Sequence, residues 1–444
     1  MKVALIRPSF GHDRAHRGYR SPARLEPLEL ANLAGLTPRG ISLRAFDERI
    51  EPIAYDEPTD LAALSVCTFS ARRAYEIAEQ YRARGVPVVM GGYHPTLVPD
   101  EAEQHADAVA VGDAEHTWPA ILEDFAAGKL RRRYEPPTRA PASPIRPDRS
   151  VLRGKRYAPL HLVQFSRGCR RSCEFCAIRA FYGGATACRS VADVVDELRA
   201  LHARRVFFVD DNIASNLDAF KALLEAIIPL RLRWTTQIDI RFADDPELLE
   251  LVRRSGCQSL VIGFESLDET NLRQMGKAWN KVATYERQLA RLREARIMIY
   301  GTFVFGYDAD DPGVFDRTLE FALRQGLYIA NFNPLQPFPG TPLYDRMAKE
   351  KRLVFDAWWL SEDYGWHQAL IEPRGMTRQQ LTDGCRRCRE RFNSFSGMAS
   401  RFLRSPAHTR VLDNAAVFWA TNVVSKLDIQ AKSGLRLGSR GGTP

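Results

Sequence analysis

The chain has 444 residues, of which 45% are hydrophobic and 26% charged, an ordinary composition for a globular protein of roughly two or three domains. Its formal net charge of +9 comes from dispersed basic residues, so we do not expect nucleic acid as a partner. The 8 cysteines are unevenly spaced, which favours metal binding in a reducing interior over a disulfide framework. No signal-peptide core and no apolar run of roughly 18 residues is found, so we expect a cytoplasmic protein.

Short apolar runs alternate with helical patterns over residues 1–128. Strands are predicted at 2–8, 41–46, 62–67, 86–91 and 107–111, and helices at about 27–36, 70–84, 97–105 and 115–127. This alternation predicts a doubly wound domain, whose parallel sheet binds ligands at the carboxyl ends of its strands. The turns at those ends are polar or glycine-rich: Thr68-Phe69-Ser70, Gly91-Gly92-Tyr93-His94-Pro95 and Gly112-Asp113-Ala114-Glu115.

Residues 129–160 contain 6 prolines, a density that disfavours helix and predicts an extended connector between domains. A second β-α series occupies 161–350. Its strands are predicted at 161–165, 205–209, 233–238, 258–263, 298–304 and 328–335, with amphipathic helices between them. Residues 351–444 are predicted to be mostly helical and rich in aromatic side chains. They include Cys385 and Cys388, whose spacing is compatible with one helix face or, less readily, with a ligand pair.

Three cysteines fall within one short segment of the second series. Cys169, Cys173 and Cys176 can converge as thiolates on one centre, and soft thiolates favour iron–sulfur clusters, zinc or Cu(I). Zinc sites and [4Fe–4S] clusters both have four positions to fill. The fourth position is therefore donated from elsewhere or left open for a substrate or cofactor.

The segment from Cys169 to Cys176 resembles the CxxxCxxC signature of radical S-adenosylmethionine (radical SAM) enzymes. The resemblance implies that the three cysteines hold a [4Fe–4S] cluster whose fourth iron chelates SAM. It also implies that one electron from the cluster cleaves SAM to methionine and a 5′-deoxyadenosyl radical. The electron would come from an external low-potential donor of the flavodoxin or ferredoxin type. The fold implied is a partial (β/α)6 barrel with its chemistry at the carboxyl ends of the strands.

Further segments resemble the same enzymes. Phe207 to Asn212 matches their Φ-x-Asp-Asp-Asn pattern, Ile262 to Ser266 matches Gly-Φ-Glu-Ser, and Phe303 to Asp308 resembles the stretch along the adenine. The SAM-binding residues implied are Phe175, Asp210, Asp211, Asn212, Gln237, Glu265, Ser266 and Phe305. By themselves, the acidic residues after the second predicted strand are equally compatible with a helix cap.

The first-domain turns look like those of the cobalamin-binding domain that is fused to one large branch of radical SAM enzymes. The resemblance implies that the corrin lies against Thr68, Ser70, Gly91, Gly92, His94, Gly112 and Glu115. Glycine lets a flat macrocycle approach the backbone closely. The lower-ligand motif of many cobalamin domains is altered in the loop from Asp13 to Gly18, so His16 is expected to be a surface residue. The alternative is a doubly wound domain that binds nothing.

The combined resemblance implies an α/β enzyme in which a doubly wound (Rossmann-like) domain, a partial radical SAM barrel and a helical tail follow one another. The reaction expected is cobalamin-dependent C-methylation of an unactivated carbon in a small-molecule biosynthetic intermediate. Oxidative cyclisation or rearrangement, with or without cobalamin, is the first alternative. A non-catalytic sensor of cobalamin or of the cluster is the alternative from another class. Methylthio transfer is disfavoured because the first domain has Cys67 alone. Membrane contact is expected only for a lipid substrate.

Overall fold

The structure, a computed structural model, describes residues 1–12, 18–138 and 140–438. Its N-terminal part contains β1 Lys2–Arg7, β2 Gly11–His12, α1 Leu28–Leu36, β3 Ser42–Asp47, β4 Leu61–Ser65, α2 Ala71–Arg82, β5 Val88–Gly91, α3 Tyr93–Leu97, α4 Pro99–His105, β6 Ala108–Ala110, α5 Ala114–Ala126 and β7 Arg133–Tyr134. The strands pair in parallel in the order β3-β1-β4-β5-β6-β7. The strand order reverses between β1 and β4, the point where doubly wound sheets bind ligands.

Helices cover both faces of this sheet because side chains alternate across each strand. Val3 and Leu5 pack with α1 and α5 on one face, whereas Ala4 and Ile6 pack with α2 and α4 on the other. All four side chains are buried. Burial on both faces explains the continuous apolar run of β1 and confirms the predicted doubly wound architecture.

The proline-rich segment 129–160 is more structured than the extended connector expected from its composition. β7 pairs with β6, and the amide of Val111 donates to the carbonyl of Tyr134 over 2.8 Å. A 3₁₀ helix at Arg149–Leu152, capped by the side chain of Asp148, packs against α1 through Leu152. The aromatic ring of Tyr134 is buried under the sheet, which is why two residues in a polar context form a strand.

A second sheet follows, built from β8 His161–Val163, β9 Ser166–Arg167, α6 Ala177–Tyr182, β10 Ala187–Cys188, α7 Val191–Ala200, β11 Arg205–Phe208, α8 Leu217–Ile227, β12 Arg233–Gln237, α9 Pro246–Arg254, β13 Cys257–Glu265, α10 Glu269–Gln274, α11 Val282–Glu294, β14 Met298–Phe305, α12 Val314–Arg324, β15 Ile329–Pro334 and α13 Pro342–Lys349. Six strands pair in parallel in the order β8-β11-β12-β13-β14-β15, with β8 and β15 at the edges. β9 and β10 form a separate antiparallel ribbon. The open, six-stranded arrangement is the partial (β/α)6 barrel that was predicted.

The C-terminal region is helical, as predicted, and contains α14 Arg378–Phe392, α15 Phe395–Arg404, α16 Pro406–Thr409, α17 Leu412–Lys432 and a final strand, β16 Arg436–Leu437. Cys385 and Cys388 of α14 are both buried in the barrel core, where the thiol of Cys388 donates to the carbonyl of Phe315 over 3.4 Å. Between α13 and α14, Trp358 and Trp359 join the core of the first sheet.

The chain then returns to its start, since β16 pairs with β2 in antiparallel fashion. In the described ranges, none of the helices has both the length and the apolar character needed to cross a membrane.

Candidate cofactor site

The three clustered cysteines lie on the loop between β9 and α6. All three are free thiols; Cys173 is buried, and Cys169 and Cys176 are half-buried. Cys176 directly precedes α6. Burial raises the pKa of its thiol, although the backbone amides of Arg179 and Ile178 act in the opposite direction. Burial also raises the pKa of the Cys173 thiol, to about 12. The thiolates therefore depend on a positively charged metal centre for their stability.

The donor set fits an iron–sulfur cluster. It consists of three soft thiols on one loop, with one corner of a four-iron cluster left open. Among the described residues, no three His, Cys, Asp or Glu side chains are close enough together to hold a single metal ion. A cluster does not require such a group, because each thiolate binds a different iron.

Backbone contacts fix the path of this loop. Gly168 has a φ of +82°, and a Cβ there would lie 2.1 Å from the carbonyl oxygen of Ala185, in the segment between α6 and β10. Further along, the amide of Glu174 donates to the carbonyl of Met275 over 3.0 Å. The carboxylate of Glu174 pairs with Arg346 of α13 at 2.8 Å. The barrel therefore holds the cysteine loop from both of its sides.

The predicted residues that follow β11 contact this loop or the strand β9 directly before it. Asp210 is buried and accepts hydrogen bonds from the amide and hydroxyl of Ser166, and burial raises its pKa to about 7. Asp211 accepts a hydrogen bond from the Gly168 amide over 2.8 Å, and burial raises its pKa to about 6. Asn212 donates to the Cys169 sulfur at 3.9 Å, and its buried Oδ1 has no partner in the described structure. This unpaired acceptor is suited to a ligand donor.

Glu265 sits at the end of β13 with a φ of +62°, a backbone conformation that is costly for a residue other than glycine and is common at functional sites. Its Oε1 accepts a hydrogen bond from Lys277 over 3.0 Å, and its Oε2 accepts one from the Thr302 hydroxyl over 3.3 Å. A Cβ at Gly263 would lie 2.2 Å from Oε1, so glycine is needed for this pair.

Lys277 was not predicted from the sequence, because no spacing distinguishes it from a surface lysine. Its ammonium also donates to the carbonyl of Gly263 over 2.9 Å. Burial opposes its charge, but the carboxylate of Glu265 holds the pKa of Lys277 above its ordinary value. The buried ion pair is thus a fixed polar anchor beside Cys173, whose thiol also influences the Lys277 charge.

The other predicted SAM residues have different surroundings. Phe305 is buried in the barrel wall, with its ring centroid 5.0 Å from that of Phe315. Gln237 is exposed, and Phe175 is half-buried against the barrel core. The hydroxyl of Ser266 accepts a hydrogen bond from the Asp268 amide over 3.0 Å. Their contacts with SAM remain predictions.

A cavity of about 410 Å³ lies where the carboxyl ends of β1, β4, β5 and β6 face the barrel. Its first-domain wall includes the predicted cobalamin residues Ser70, Gly91, Gly92, Gly112 and Glu115. Its barrel wall includes Gln164, Arg167, Phe181, Tyr182 and Asp211. Gly92 has a φ of +101°, and a Cβ there would lie 2.9 Å from the carbonyl oxygen of Val66. The cradle of bare backbone fits a flat corrin.

Two predicted cobalamin residues do not line this cavity. Thr68 is buried in a short 3₁₀ turn, and His94 is buried completely. The Nε2 atom of His94 lies 3.1 Å from both the Tyr75 hydroxyl and a Glu101 carboxylate oxygen, and Trp359 donates to the same oxygen over 2.9 Å. His94 therefore links the first domain to the C-terminal region. His16 lies outside the described residues.

Charged and aromatic side chains join the two domains across the cavity, and those of the barrel, Arg167, Phe181 and Tyr182, were not predicted from the sequence. The guanidinium of Arg167 forms ion pairs with Glu115 at 2.8 Å and with Asp113 at 3.4 Å. The pair with Glu115 does not have the geometry of a hydrogen bond. The hydroxyl of Tyr182 donates to Asp113 over 2.9 Å. Tyr93 lines the cavity with its ring centroid 4.9 Å from that of Phe181. A corrin in the cavity would contact both domains at once.

Comparison with known proteins agrees with this geometry. Residues 163–322 match the model of the Radical SAM superfamily, and residues 29–122 match that of the B12 binding domain. The chain is 33% identical over 370 residues to bacteriochlorophyllide d C-12(1)-methyltransferase of Chlorobaculum tepidum, covering 80% of each protein. It is 26% identical to the C-8(2)-methyltransferase of the same organism, covering 74% of this chain and 78% of that protein.

Among solved structures, the cobalamin-dependent S-adenosylmethionine radical enzyme OxsB, with aqua-cobalamin and S-adenosylmethionine bound, superposes with a TM-score of 0.67. The match covers 96% of this chain and 72% of OxsB at 12% identity, so it supports the fold alone.

The barrel and its cysteine loop define the class of protein, a radical SAM enzyme. The chain belongs to the family of radical SAM enzymes that carry a cobalamin-binding domain and include cobalamin-dependent methyltransferases. The predicted family, enzymatic nature and cofactors, namely a [4Fe–4S] cluster, SAM and cobalamin, are confirmed at this level. The reading as a non-catalytic sensor is not favoured.

Proposed function

We propose that this enzyme methylates an unactivated carbon of a small-molecule biosynthetic intermediate. The observation that carries the proposal is the position of Asp211, which hydrogen-bonds the cysteine loop and also lines the first-domain cavity. Methyl transfer to a substrate radical requires the site of hydrogen removal and the methyl donor to be neighbours. A single side chain that contacts both sites supports this requirement.

With the cofactors bound, the cluster and SAM would supply a 5′-deoxyadenosyl radical that removes a substrate hydrogen, and cobalamin would supply the methyl group that replaces it. The role of the protein's side chains is to bind and orient the cofactors and the substrate. Cys169, Cys173 and Cys176 would hold the cluster, and the Glu265–Lys277 pair would anchor SAM. No side-chain nucleophile is needed for this reaction, in keeping with a site that consists of ligands and positioning groups.

We propose a tetrapyrrole as the first substrate class to test. Support comes from the relative with the higher identity, which is named for its action on bacteriochlorophyllide d. The inner face of the barrel also carries half-buried polar pairs, in which Thr235 contacts Ser259 and Asn331 contacts Tyr300, each at 2.7 Å. Such side chains can bind the polar edge of a substrate while its methylated carbon faces the cofactors.

The test is an anaerobic reaction of protein reconstituted with iron, sulfide and cobalamin. It contains methyl-labelled SAM, a flavodoxin-type electron donor and a panel of chlorophyllides and other tetrapyrroles. We expect 5′-deoxyadenosine and S-adenosylhomocysteine in similar amounts, together with a product that carries the labelled methyl group. A Cys173→Ala variant should form neither 5′-deoxyadenosine nor the labelled product. A Cys385→Ala variant, which changes a buried thiol away from the site, should form both of these compounds.

Other outcomes separate the alternatives. Deoxyadenosine with an unlabelled, oxidised product would identify the reaction as cyclisation or another oxidation and would overturn the methylation proposal. Labelled methyl on a substrate of a different class would retain methylation and refute the tetrapyrrole assignment. Absence of deoxyadenosine from protein with a full cluster and the complete panel would contradict the proposed reaction altogether.

A further inference from the structure

Exposed apolar side chains are concentrated on the C-terminal helices. The described residues include nine large hydrophobic side chains that are exposed to solvent, and six of them lie on α15 and α17. They are Phe395, Leu403, Leu412, Trp419, Val423 and Leu427, and the first three are more than two-thirds exposed, with Leu412 reaching 89%. The four on α17 recur at helical spacing and therefore share one face. These six residues define the outer apolar face.

No carboxylate lies on this face within α17, and Lys426, which is only partly exposed, borders it. The exposed positions of α17 are Leu412, Ala416, Trp419, Ala420, Val423, Leu427, Gln430 and Ala431. Its two carboxylates turn towards the protein, since Asp413 pairs with Arg205, and Asp428 accepts a hydrogen bond from Tyr19 over 2.6 Å. An uninterrupted apolar stripe of this length on a helix surface is unusual for a helix that faces only water.

The opposite face holds α17 firmly against the barrel. Phe418 and Asn422 are fully buried, and the Asn422 amide donates to the carbonyl of Tyr328 over 3.1 Å. The buried guanidinium of Arg401 on α15 donates to Asn422 over 2.9 Å. The outer apolar face is therefore presented by a rigid pair of helices.

Cations surround this face. Arg404 and Arg410 are exposed, and the ammonium of Lys426 lies 4.3 Å from the ring centroid of Phe395. Within the described ranges, no carboxylate forms an ion pair with any of the three. Basic residues beside an apolar helix face match the chemistry of anionic lipid headgroups above acyl chains.

We propose that the outer apolar face docks on a membrane surface that contains anionic lipids. The helices would lie in the plane of the interface with Trp419 at headgroup level and the cations against phosphates. A second copy of the chain fits less well, because a two-fold axis through this face would bring the same unpaired cations together. The proposal does not depend on the reaction catalysed.

The C-terminal end of α17 connects this face to the cofactor cavity. The ammonium of Lys432 lies 5.8 Å from the ring centroid of Phe10, and Phe10 lines the cavity. Docking through α17 would place the cofactor cavity close to the membrane surface. An apolar substrate dissolved in the lipid could then reach the enzyme without crossing water.

Vesicle flotation of the full chain, reconstituted with its cofactors, tests the proposal. Vesicles of phosphatidylcholine with phosphatidylglycerol are compared with vesicles of phosphatidylcholine alone. We expect flotation with the anionic vesicles, weakened by salt and by Lys426→Glu, since each cation near the surface contributes roughly fivefold to partitioning. Val423→Glu, at an exposed position, should reduce partitioning by roughly tenfold or more because it puts a charge into the apolar contact.

Leu217→Glu is the matched control, because Leu217 is 41% exposed on α8, away from this face. Its flotation should equal that of the unmodified chain. The proposal would be overturned if the Val423→Glu protein floated as well as the unmodified chain. It would also be overturned if the unmodified chain did not float at all with anionic vesicles at physiological salt. The proposal would also be overturned if the chain did not bind vesicles and light scattering showed a dimer that Val423→Glu dissociates. The face would then be an interface between copies of the chain.

Discussion

The carboxylate of Asp211 accepts a hydrogen bond of 2.8 Å from the backbone amide of Gly168, the residue directly before Cys169. The same residue lines the cavity, as does Gly92 of the first domain. The segment that directly follows β11 thus fixes the cysteine loop and lines the first-domain cavity. Disturbing this contact should affect both cofactor sites.

We expect Asp211→Ala to impair the loading of both the cluster and cobalamin. The substitution leaves the buried amide of Gly168 without an acceptor, which costs about 1–3 kcal/mol and loosens the cysteine loop. Asp211→Asn retains an oxygen acceptor at the same place and should load its iron normally. Iron analysis and the corrin absorbance after reconstitution are the measurements. Normal iron and corrin in the alanine variant would refute this linkage.

Gly92→Ala should lower cobalamin binding by roughly tenfold because the new Cβ would lie 2.9 Å from the Val66 carbonyl, at the floor of the cavity. Gly85→Ala is the matched control: φ is +75° there, but a Cβ would meet nothing within 4 Å. Gly85→Ala carries the cost of an alanine at positive φ, about 1 kcal/mol. Gly92→Ala carries a larger backbone cost, because φ +101° and ψ −166° lie in a region essentially restricted to glycine. Titration with cobalamin separates the two effects, and equal losses of affinity would rule out a close approach of the corrin at Gly92.

Lys277→Met should destabilise the protein by about 3 kcal/mol, because it leaves the carboxylate of Glu265 buried without its cation. SAM binding, measured by equilibrium dialysis, should weaken by roughly tenfold if the pair anchors SAM as proposed. Adding Glu265→Gln removes the unpaired charge and should restore thermal stability without restoring SAM affinity. A double variant that binds SAM normally would show that the pair has only a structural role.

Asp310 should make stability depend on pH. Burial raises its pKa from 3.8 to about 6, although the amide of Gly306 and the side chain of Asn271 donate to it over 2.8 and 2.7 Å. A carboxyl whose folded pKa is raised stabilises the fold at low pH, and this contribution is lost as pH rises from about 4 through about 6. Between pH 5 and 7.5 the loss should be about 1–2 kcal/mol.

Urea denaturation of the unmodified chain and of Asp310→Asn at both pH values measures this dependence. The asparagine does not titrate, so the stability of the unmodified chain should fall relative to that of the variant as pH rises. Parallel pH profiles for the two proteins would contradict the assignment. The hydrogen bond that the variant loses lowers its stability at both pH values and cancels in the comparison.

Local features of the sequence determined the architecture and the position of the proposed cluster ligands. The β-α alternation follows from hydrophobic periods of a few residues, and Cys169, Cys173 and Cys176 lie on one loop whatever the rest of the chain does. The glycine turn at Gly91 and Gly92 was recognisable for the same reason. The expected extended connector was correct only in part, because burial of Tyr134 against the first sheet outweighs the composition of its segment.

Contacts between distant elements were decided by the tertiary structure. Lys277 meets Glu265, and Arg167 meets Glu115 of the other domain, through side-chain positions that no spacing in the chain reveals. His94 was predicted from a recognisable turn, but its side chain is buried in the core and does not line the cavity. A periodic apolar stripe predicts burial, yet Val423 and its neighbours on α17 are exposed because the opposite face packs on the barrel. Which of two faces packs inwards depends on the shape and polarity of the partner, and that information lies outside the helix itself.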